Sequence, residues 1–191
     1  MSHPWGKEKP PRNVIAVVGP SGSGKTELIC NLVAWLTARG LAVGVLKHSH
    51  HRRPAVEPEA EAFREARVRV WARPALGALQ MVSFREGEPE PGPLVSWLAS
   101  RVEILVVEGY KSGPLPKILL AGPGVEEVLP DRQGVVALIA PSGAGGDLPV
   151  FPPGEIEALG RFLLDRLGLR SRGSGTAPAP PVPADGPDRP G

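Results

Sequence analysis

The sequence predicts an α/β fold in which a mostly parallel sheet carries helices on both of its faces. Short runs rich in Val, Ile and Leu alternate along the chain with segments whose apolar residues recur at helical spacing. The first such run leads through a glycine-rich turn into a helical segment. The chain also holds 24 glycines and 24 prolines in 191 residues, which argues against a coiled coil or a helical bundle.

Each element follows from its own pattern. In the first helix, Leu28 and Leu32 recur at helical spacing, and Gly40 supplies a stop. The turn at Arg73 and Pro74 separates two strand candidates. The predicted helices cover 25–39, 57–67, 93–100 and 153–167, and the predicted strands cover 14–18, 42–46, 68–71, 80–84, 102–107, 117–120 and 135–140.

Three regions differ in composition. Residues 1–12 are polar and contain prolines, which predicts a flexible N-terminus. Residues 13–170 are predicted to form the folded domain, and the proline- and glycine-rich stretch 171–191 is predicted to be a disordered tail with local polyproline II structure.

Charge and cysteine content limit the classes of partner and compartment. The net charge is only +2, so no general affinity for nucleic acid or membranes is expected. No apolar run reaches the length of a membrane span, and residues 1–12 lack an apolar signal-peptide core. The single cysteine, Cys30, is predicted to be buried and allows no intrachain disulfide, which fits the cytoplasm.

A phosphate-binding loop joins the first strand to the first helix. It comprises Gly19, Pro20, Ser21, Gly22, Ser23, Gly24, Lys25 and Thr26, and it matches G-x-x-x-x-G-K-[ST] at every fixed position. The glycines let successive backbone N–H groups point at one anion, and the helix that follows adds its positive dipole end. The motif, placed between a strand and a helix, predicts a P-loop NTPase.

Two further groups complete the predicted chemistry. Lys25 is expected to reach the β- and γ-phosphates, and the Thr26 hydroxyl is expected to bind Mg²⁺. Glu108 ends an aliphatic strand and is the predicted carboxylate at the metal, while Glu103 near the start of that strand is predicted to be a surface charge. Lys25 and Glu108 are thus the candidate catalytic residues.

A histidine-rich segment follows the second strand. Lys47, His48 and His50 leave the carboxyl end of a strand, where open α/β sheets bind ligands, so contact with phosphates or another anionic ligand is predicted. A zinc site is the alternative, but no cysteine is near and the acidic residues begin only at Glu57. A solvated basic loop is a further alternative, and the basic residues of 47–73 equally suit a solvated face.

Taken together, the motifs resemble those of the MobB family. The matching segments are G-P-S-G-S-G-K-T at 19–26, L-K-H-S-H-H at 46–51, V-V-E-G-Y-K at 106–111 and P-K-I at 116–118, within a resemblance that covers about 13–168. The resemblance implies GTP binding with weak GTP hydrolysis, Mg²⁺ and a homodimer. It also implies an accessory role beside a MobA-like molybdopterin guanylyltransferase, with molybdopterin as a ligand. By position it assigns Lys47, His48, His50 and Lys111 to the site, with Arg64 retained from the family pattern.

The chain departs from the family pattern in two segments. Glu59 and Ala60 replace an aspartate and a hydroxyl residue, which puts hydrolysis rather than nucleotide binding in doubt. The stretch 140–147 replaces a small-residue–Asp turn suited to guanine, and no N-K-x-D signature is present, so base preference is left open.

Two other functions therefore stay open. A P-loop kinase acting on a small metabolite is one, because the arginine-rich stretch 52–73 resembles a mobile lid. A non-hydrolysing nucleotide-binding adaptor is the other, because Glu59 and Ala60 alter the family pattern.

Overall fold

The structure is a computed structural model, and it describes Trp5 and residues 9–48, 56–84, 87, 89–122, 133–141 and 147–170. The predictions for His50 and for the tail 171–191 fall outside these residues, as does most of the segments 1–12 and 140–147. The chain forms two compact units, one from 1–49 with 90–191 and the other from 50–89.

The first unit is an α/β layer structure. Its strands are β1 (Val14–Val18), β2 (Val43–Lys47), β5 (Ile104–Glu108), β6 (Lys117–Leu120), β7 (Val135–Ile139) and β8 (Val150–Phe151). Its helices are α1 (Lys25–Thr37), α3 (Pro91–Ala99) and α4 (Ile156–Leu167). The remaining labels, α2, β3 and β4, belong to the second unit.

The six strands form one sheet in the order β2-β5-β1-β6-β7-β8. Every pairing in it is parallel. The strand β1 is central, since Val14 pairs with Leu105 on one side and Ala16 pairs with Lys117 on the other. Consequently the carboxyl ends of the three strands meet at one edge of the sheet, which is where the phosphate loop leaves β1.

Alternate residues of β1 face two separate apolar clusters. Ile15 and Val17 pack with α1 and α4, whereas Val14 and Ala16 pack with α3. Since all five side chains of β1 are buried, this strand has no solvated face. The predicted fold class, a mostly parallel sheet with helices on both faces, is confirmed.

The second unit contains the helix α2 (Pro58–Glu65) and a hairpin of β3 (Val70–Ala75) and β4 (Ala78–Ser83). The predicted turn at Arg73 and Pro74 is wrong, because both residues lie inside β3. The turn is made instead by Leu76 and Gly77, where Gly77 has φ 72°, a conformation that glycine adopts at no steric cost.

Two burial predictions are also wrong. Cys30 is exposed: α1 buries Leu28, Ile29, Leu32 and Leu36, and Cys30 projects from the opposite side of the helix. Glu103 is partly buried and is not a free surface charge, because its carboxylate accepts a hydrogen bond of 2.9 Å from the backbone N–H of Ala42.

Element boundaries shift by a few residues. The helix α4 begins at Ile156 rather than at 153, because Glu155 N–H donates to the Pro152 carbonyl in a turn that precedes the helix. The strand β8 was not predicted, since a pair of residues shows no periodicity. None of the helices in the described residues is both long enough and apolar enough to cross a bilayer.

Candidate functional site

The phosphate loop lies at the carboxyl edge of the sheet, between Val18 at the end of β1 and Lys25 at the start of α1. Its first residue must be small: a Cβ on Gly19 would lie 3.1 Å from both the Cβ and the carbonyl oxygen of Leu120. Within the loop, Gly24 has φ 87° and serves as the N-cap of α1, a backbone conformation that residues with a Cβ rarely adopt. The glycines therefore let the loop pack on β6 and turn into the helix.

The side chain of Lys25 folds back over this loop. Its ammonium donates hydrogen bonds to the carbonyl oxygens of Gly19, at 3.1 Å, and of Pro20. The charge is thus held at the loop itself, where a phosphate bound by the loop N–H groups would meet it.

The N-terminus of α1 adds backbone donors. The first intrahelical bond of the helix runs from Leu28 N–H to the Gly24 carbonyl, so the N–H groups of Lys25, Thr26 and Glu27 have no acceptor within the helix. The N-cap Gly24 supplies no side-chain oxygen to bind them. Such donors, together with the positive end of the helix dipole, are suited to an anion.

Thr26, Glu108 and Lys47 converge beside the loop. The Thr26 hydroxyl donates to Glu108 Oε2 at 3.1 Å, and the Lys47 ammonium lies 3.2 Å from Glu108 Oε1 and 3.4 Å from Thr26 Oγ1. The strand register produces this meeting, because Lys47 at the end of β2 pairs directly with Glu108 at the end of β5. The Glu108 side chain is 12% exposed and that of Lys47 is 58% exposed.

The oxygens of Thr26 and Glu108 fit a divalent cation. A hydroxyl and a carboxylate are hard ligands of the kind that Mg²⁺ prefers, and the two oxygens already share one positive charge, the Lys47 ammonium. These two residues would hold the metal, which would neutralise charge on bound phosphate.

His48 lies next to this group. Its backbone N–H donates to the Glu108 carbonyl at 2.9 Å, and its imidazole stacks on the Tyr110 ring with 4.1 Å between the ring centroids. Gly109 precedes Tyr110 in the chain, and a Cβ on Gly109 would lie 3.1 Å from the His48 Cβ. Lys111 follows in the chain and is exposed.

A cavity of about 220 Å³ opens on the other side of the loop. The lining lies at the carboxyl ends of β6 and β7 and at the start of α1, and it includes Gly24, Asn31, Ala121, Ala140 and Pro141. Ser23 also lines it, and the buried Ser23 hydroxyl has no hydrogen-bond partner among the described residues. A buried polar atom of this kind calls for a ligand or a water molecule.

The assignment of two further residues, Arg64 and His50, to this site stays a prediction. Arg64 belongs to the second unit, where its guanidinium is paired with Glu61, and the hydrogen bond that it donates to that carboxylate raises the pKa of Arg64 above its ordinary value. His50 lies outside the described residues. In the part of the chain that the structure describes, no three His, Cys, Asp or Glu side chains cluster as they would around a metal ion.

Lys117 has a role that sequence reasoning did not assign. The residue is 2% exposed, and its ammonium donates to the carbonyls of Gly113 (2.8 Å), Leu115 (3.2 Å) and Gln133 (2.9 Å). Three donors thereby meet three backbone acceptors, which fixes the segment after β5 to the residues that precede β7. In the sequence, Lys117 stands at the start of an aliphatic strand and within the P-K-I segment at 116–118 that carries part of the family resemblance, but neither feature indicates the contacts of its ammonium.

Solved structures confirm the fold. MobB from Bacillus subtilis superimposes with a TM-score of 0.66 and 25% sequence identity, over 84% of this chain and 99% of that one. The MobB homologue from Bacillus stearothermophilus gives a TM-score of 0.62 and 25% identity, over 83% and 99% of the respective chains.

Sequence relatives and a family model agree with the structures. The molybdopterin-guanine dinucleotide biosynthesis adapter protein of Escherichia coli is 29% identical over 80% of this chain and 91% of its own. The Haemophilus influenzae protein of the same name is 31% identical over 66% and 73% of the two chains. The model of the family described as molybdopterin guanine dinucleotide synthesis protein B matches residues 14–141. Since this match spans more than half of the chain, the protein belongs to the MobB family.

Proposed function

We propose that this protein binds GTP and Mg²⁺ at the phosphate loop and hydrolyses GTP slowly. In this proposal it acts as an accessory protein beside a MobA-like guanylyltransferase during the synthesis of molybdopterin guanine dinucleotide, with molybdopterin as a further ligand. One observation carries the nucleotide part: the loop 19–26, the Lys25 ammonium and the oxygens of Thr26 and Glu108 lie together at the carboxyl edge of the sheet. This arrangement suits a triphosphate with its metal.

The proposed division of labour is electrostatic. Loop and helix N–H groups with Lys25 bind the phosphates, while Thr26 and Glu108 hold Mg²⁺, which lowers the charge repulsion on the transferred phosphoryl group. The cavity of about 220 Å³ beside Ser23 and Pro141 would receive the base. The preference for guanine is supported by the family membership rather than by a particular side chain.

Calorimetry of GTP and ATP, each with and without Mg²⁺, tests this function. Tighter binding of GTP with Mg²⁺ than of ATP supports the proposal. Binding of neither triphosphate to the folded protein would refute it, and equal affinities would refute the base preference alone.

A second candidate function is a nucleotide-binding adapter that does not hydrolyse GTP. The names of the Escherichia coli and Haemophilus influenzae relatives include the word adapter. Ala60, at the place of the family hydroxyl, is fully buried in a helix and has no polar group for water activation. Phosphate release measured with and without a MobA-like partner separates the two functions, since an adapter of this kind shows no turnover in either case.

The second unit supports the proposed homodimer. Strand alternation places Val70, Leu79 and Met81 on one face of the hairpin, and these side chains are 54%, 44% and 40% exposed. A two-stranded sheet is marginal by itself, and an exposed apolar face of this kind marks an interaction site. A second copy of the chain would cover it with its own hairpin face.

Light scattering on matched hairpin variants tests the dimer. Met81→Asp should give a monomer, because it places a charge in the apolar face. Gln80→Asp, which changes the neighbouring residue on the opposite face, is the control and should stay dimeric. A monomeric wild-type protein, or a dimer in both variants, would contradict this arrangement.

A further inference from the structure

An aromatic series leads away from the candidate site. The His48 ring stacks on Tyr110 at an interplanar angle of 26°, and the Tyr110 ring also contacts that of Trp5 in an edge-on arrangement at 82°, with 5.3 Å between centroids. Trp5 lies outside residues 14–141, the part matched by the family model. A residue of the N-terminal segment thus contacts the element that holds His48.

Trp5 packs against two glycines, Gly92 and Gly113, which together form its packing site. A Cβ on Gly113 would lie 2.4 Å from Trp5 Cζ2, and a Cβ on Gly92 would lie 2.5 Å from the Trp5 carbonyl oxygen. Neither distance is sterically allowed, so Trp5 occupies its place only because both positions lack side chains. The packing is therefore specific to this tryptophan and not a loose surface contact.

Tyr110 needs such support. Its φ is 51°, in the left-handed region that is unfavourable for a bulky side chain and persists only where neighbouring contacts hold it. One side of its ring is covered by His48, and Trp5 packs edge-on against it. Without Trp5, the Tyr110 ring would be held less firmly. The His48 imidazole, which stacks on that ring, would then lose its fixed orientation.

We infer that Trp5 is a positioning residue for the ligand site, acting through Tyr110 to fix the imidazole of His48, the residue that follows Lys47 at the end of β2. This inference rests on the proposed function for its ligand, but the aromatic contacts stand without it. Trp5 touches no reacting group. It pre-orders His48, so that less side-chain freedom is lost when an anionic ligand binds.

The first test uses NMR of the His48 ring protons and needs no nucleotide. In Trp5→Ala these resonances should shift, because the ring stacked on them reorients, whereas Trp5→Phe should restore near-wild-type shifts. Gly113→Ala places a methyl group where the Trp5 ring packs and leaves Trp5 itself unchanged, so it should reproduce the Trp5→Ala spectrum. This variant replaces Trp5→Ala in the test if Trp5→Ala does not fold. Unchanged His48 resonances in the folded variants would overturn the inference.

The second test measures GTP affinity with Mg²⁺ by calorimetry. Trp5→Ala should weaken binding about two- to tenfold, the range expected when one side chain loses its pre-ordering. In a His48→Gln background the same change should have no further effect, because the residue that Trp5 orients is already gone. Additive losses would overturn the inference. If the wild type binds no GTP, the proposed function fails while the NMR test still decides the role of Trp5.

Discussion

The Lys47 ammonium lies 3.2 Å from Glu108 Oε1 and 3.4 Å from Thr26 Oγ1, between the two oxygens that we assign to Mg²⁺. An ammonium and a divalent cation would therefore compete for the same ligands. If Mg²⁺ displaces the Lys47 ammonium from Glu108, the ammonium would remain beside the phosphate loop, where its positive charge suits a bound triphosphate. Lys47 thus links the metal and the nucleotide at the end of β2.

Lys47→Met should strengthen Mg²⁺ binding to the nucleotide complex by up to about fivefold, the limit set by a pair as exposed as this one. Nucleotide affinity itself should fall, because one cation near the phosphates is lost. Titration with Mn²⁺, monitored by electron paramagnetic resonance, measures the affinity of the nucleotide complex for the metal directly. Lys47→Arg, which keeps the charge, is the control, and equal metal affinities in all three proteins would contradict the competition.

Lys25→Ala should weaken triphosphate binding by at least about tenfold, since a hydrogen bond to a charged group contributes about 1.5–3 kcal/mol. The fold should survive, because the Lys25 ammonium bonds only loop carbonyls in the described residues. Calorimetry measures the loss of nucleotide affinity, and thermal unfolding shows separately whether the fold has survived. Wild-type affinity in a folded variant would exclude the phosphate-loop assignment.

Glu108→Gln should retain nucleotide binding and lose at least about 10-fold in Mg²⁺ affinity, because even the loss of a residue that only supports a metal ligand costs about 10–100-fold. The isosteric amide keeps the hydrogen bond from the Thr26 hydroxyl and removes the negative charge. The measurement is nucleotide affinity as a function of Mg²⁺ concentration. Glu59→Gln is the comparison variant. If it lowers the Mg²⁺ affinity and Glu108→Gln does not, the metal is held by Glu59 and the assignment of Glu108 is wrong.

Lys117→Met should lower the free energy of unfolding by about 3 kcal/mol, because the buried carbonyls of Gly113 and Leu115 lose their donor, as does that of Gln133, and leaving a buried acceptor unpaired costs about 1–3 kcal/mol. For a domain of this size the melting temperature should fall by roughly 6–12 °C. Lys9→Met, at an exposed position, should leave it unchanged. Equal melting temperatures in the two variants would show that the carbonyls find other donors.

Local patterns predict the parts of the fold that depend on few residues. The strands Val14–Val18 and Lys117–Leu120 have the predicted bounds, since a short aliphatic run bounded by Gly or Pro has few alternatives. The hairpin turn was missed because proline is the stronger turn signal in the sequence. Pro74 instead pairs with Leu79 in a two-stranded sheet, a setting in which its missing N–H can face away from the partner strand.

The sequence predicts those residues of the site that belong to a recognisable motif, but not the contacts between them. The loop and Glu108 follow from a pattern and a strand end, but the pairing of Lys47 with Glu108 depends on two strands that are far apart in sequence. Trp5, Tyr110 and Lys117 gain their roles from tertiary contacts, for which a single sequence carries no periodic signal.

The central place of β1 has a consequence for synthesis on the ribosome. This strand is synthesised before its partners, because Val14 pairs with Leu105 and Ala16 pairs with Lys117. At about 5–20 residues per second, translation of the intervening chain takes roughly 5–20 s. Throughout that interval the aliphatic side chains of the nascent strand have no sheet partner, which makes the growing chain a natural client for a holding chaperone. The phosphate loop can take up its final form only when the strands on both sides of β1 have emerged.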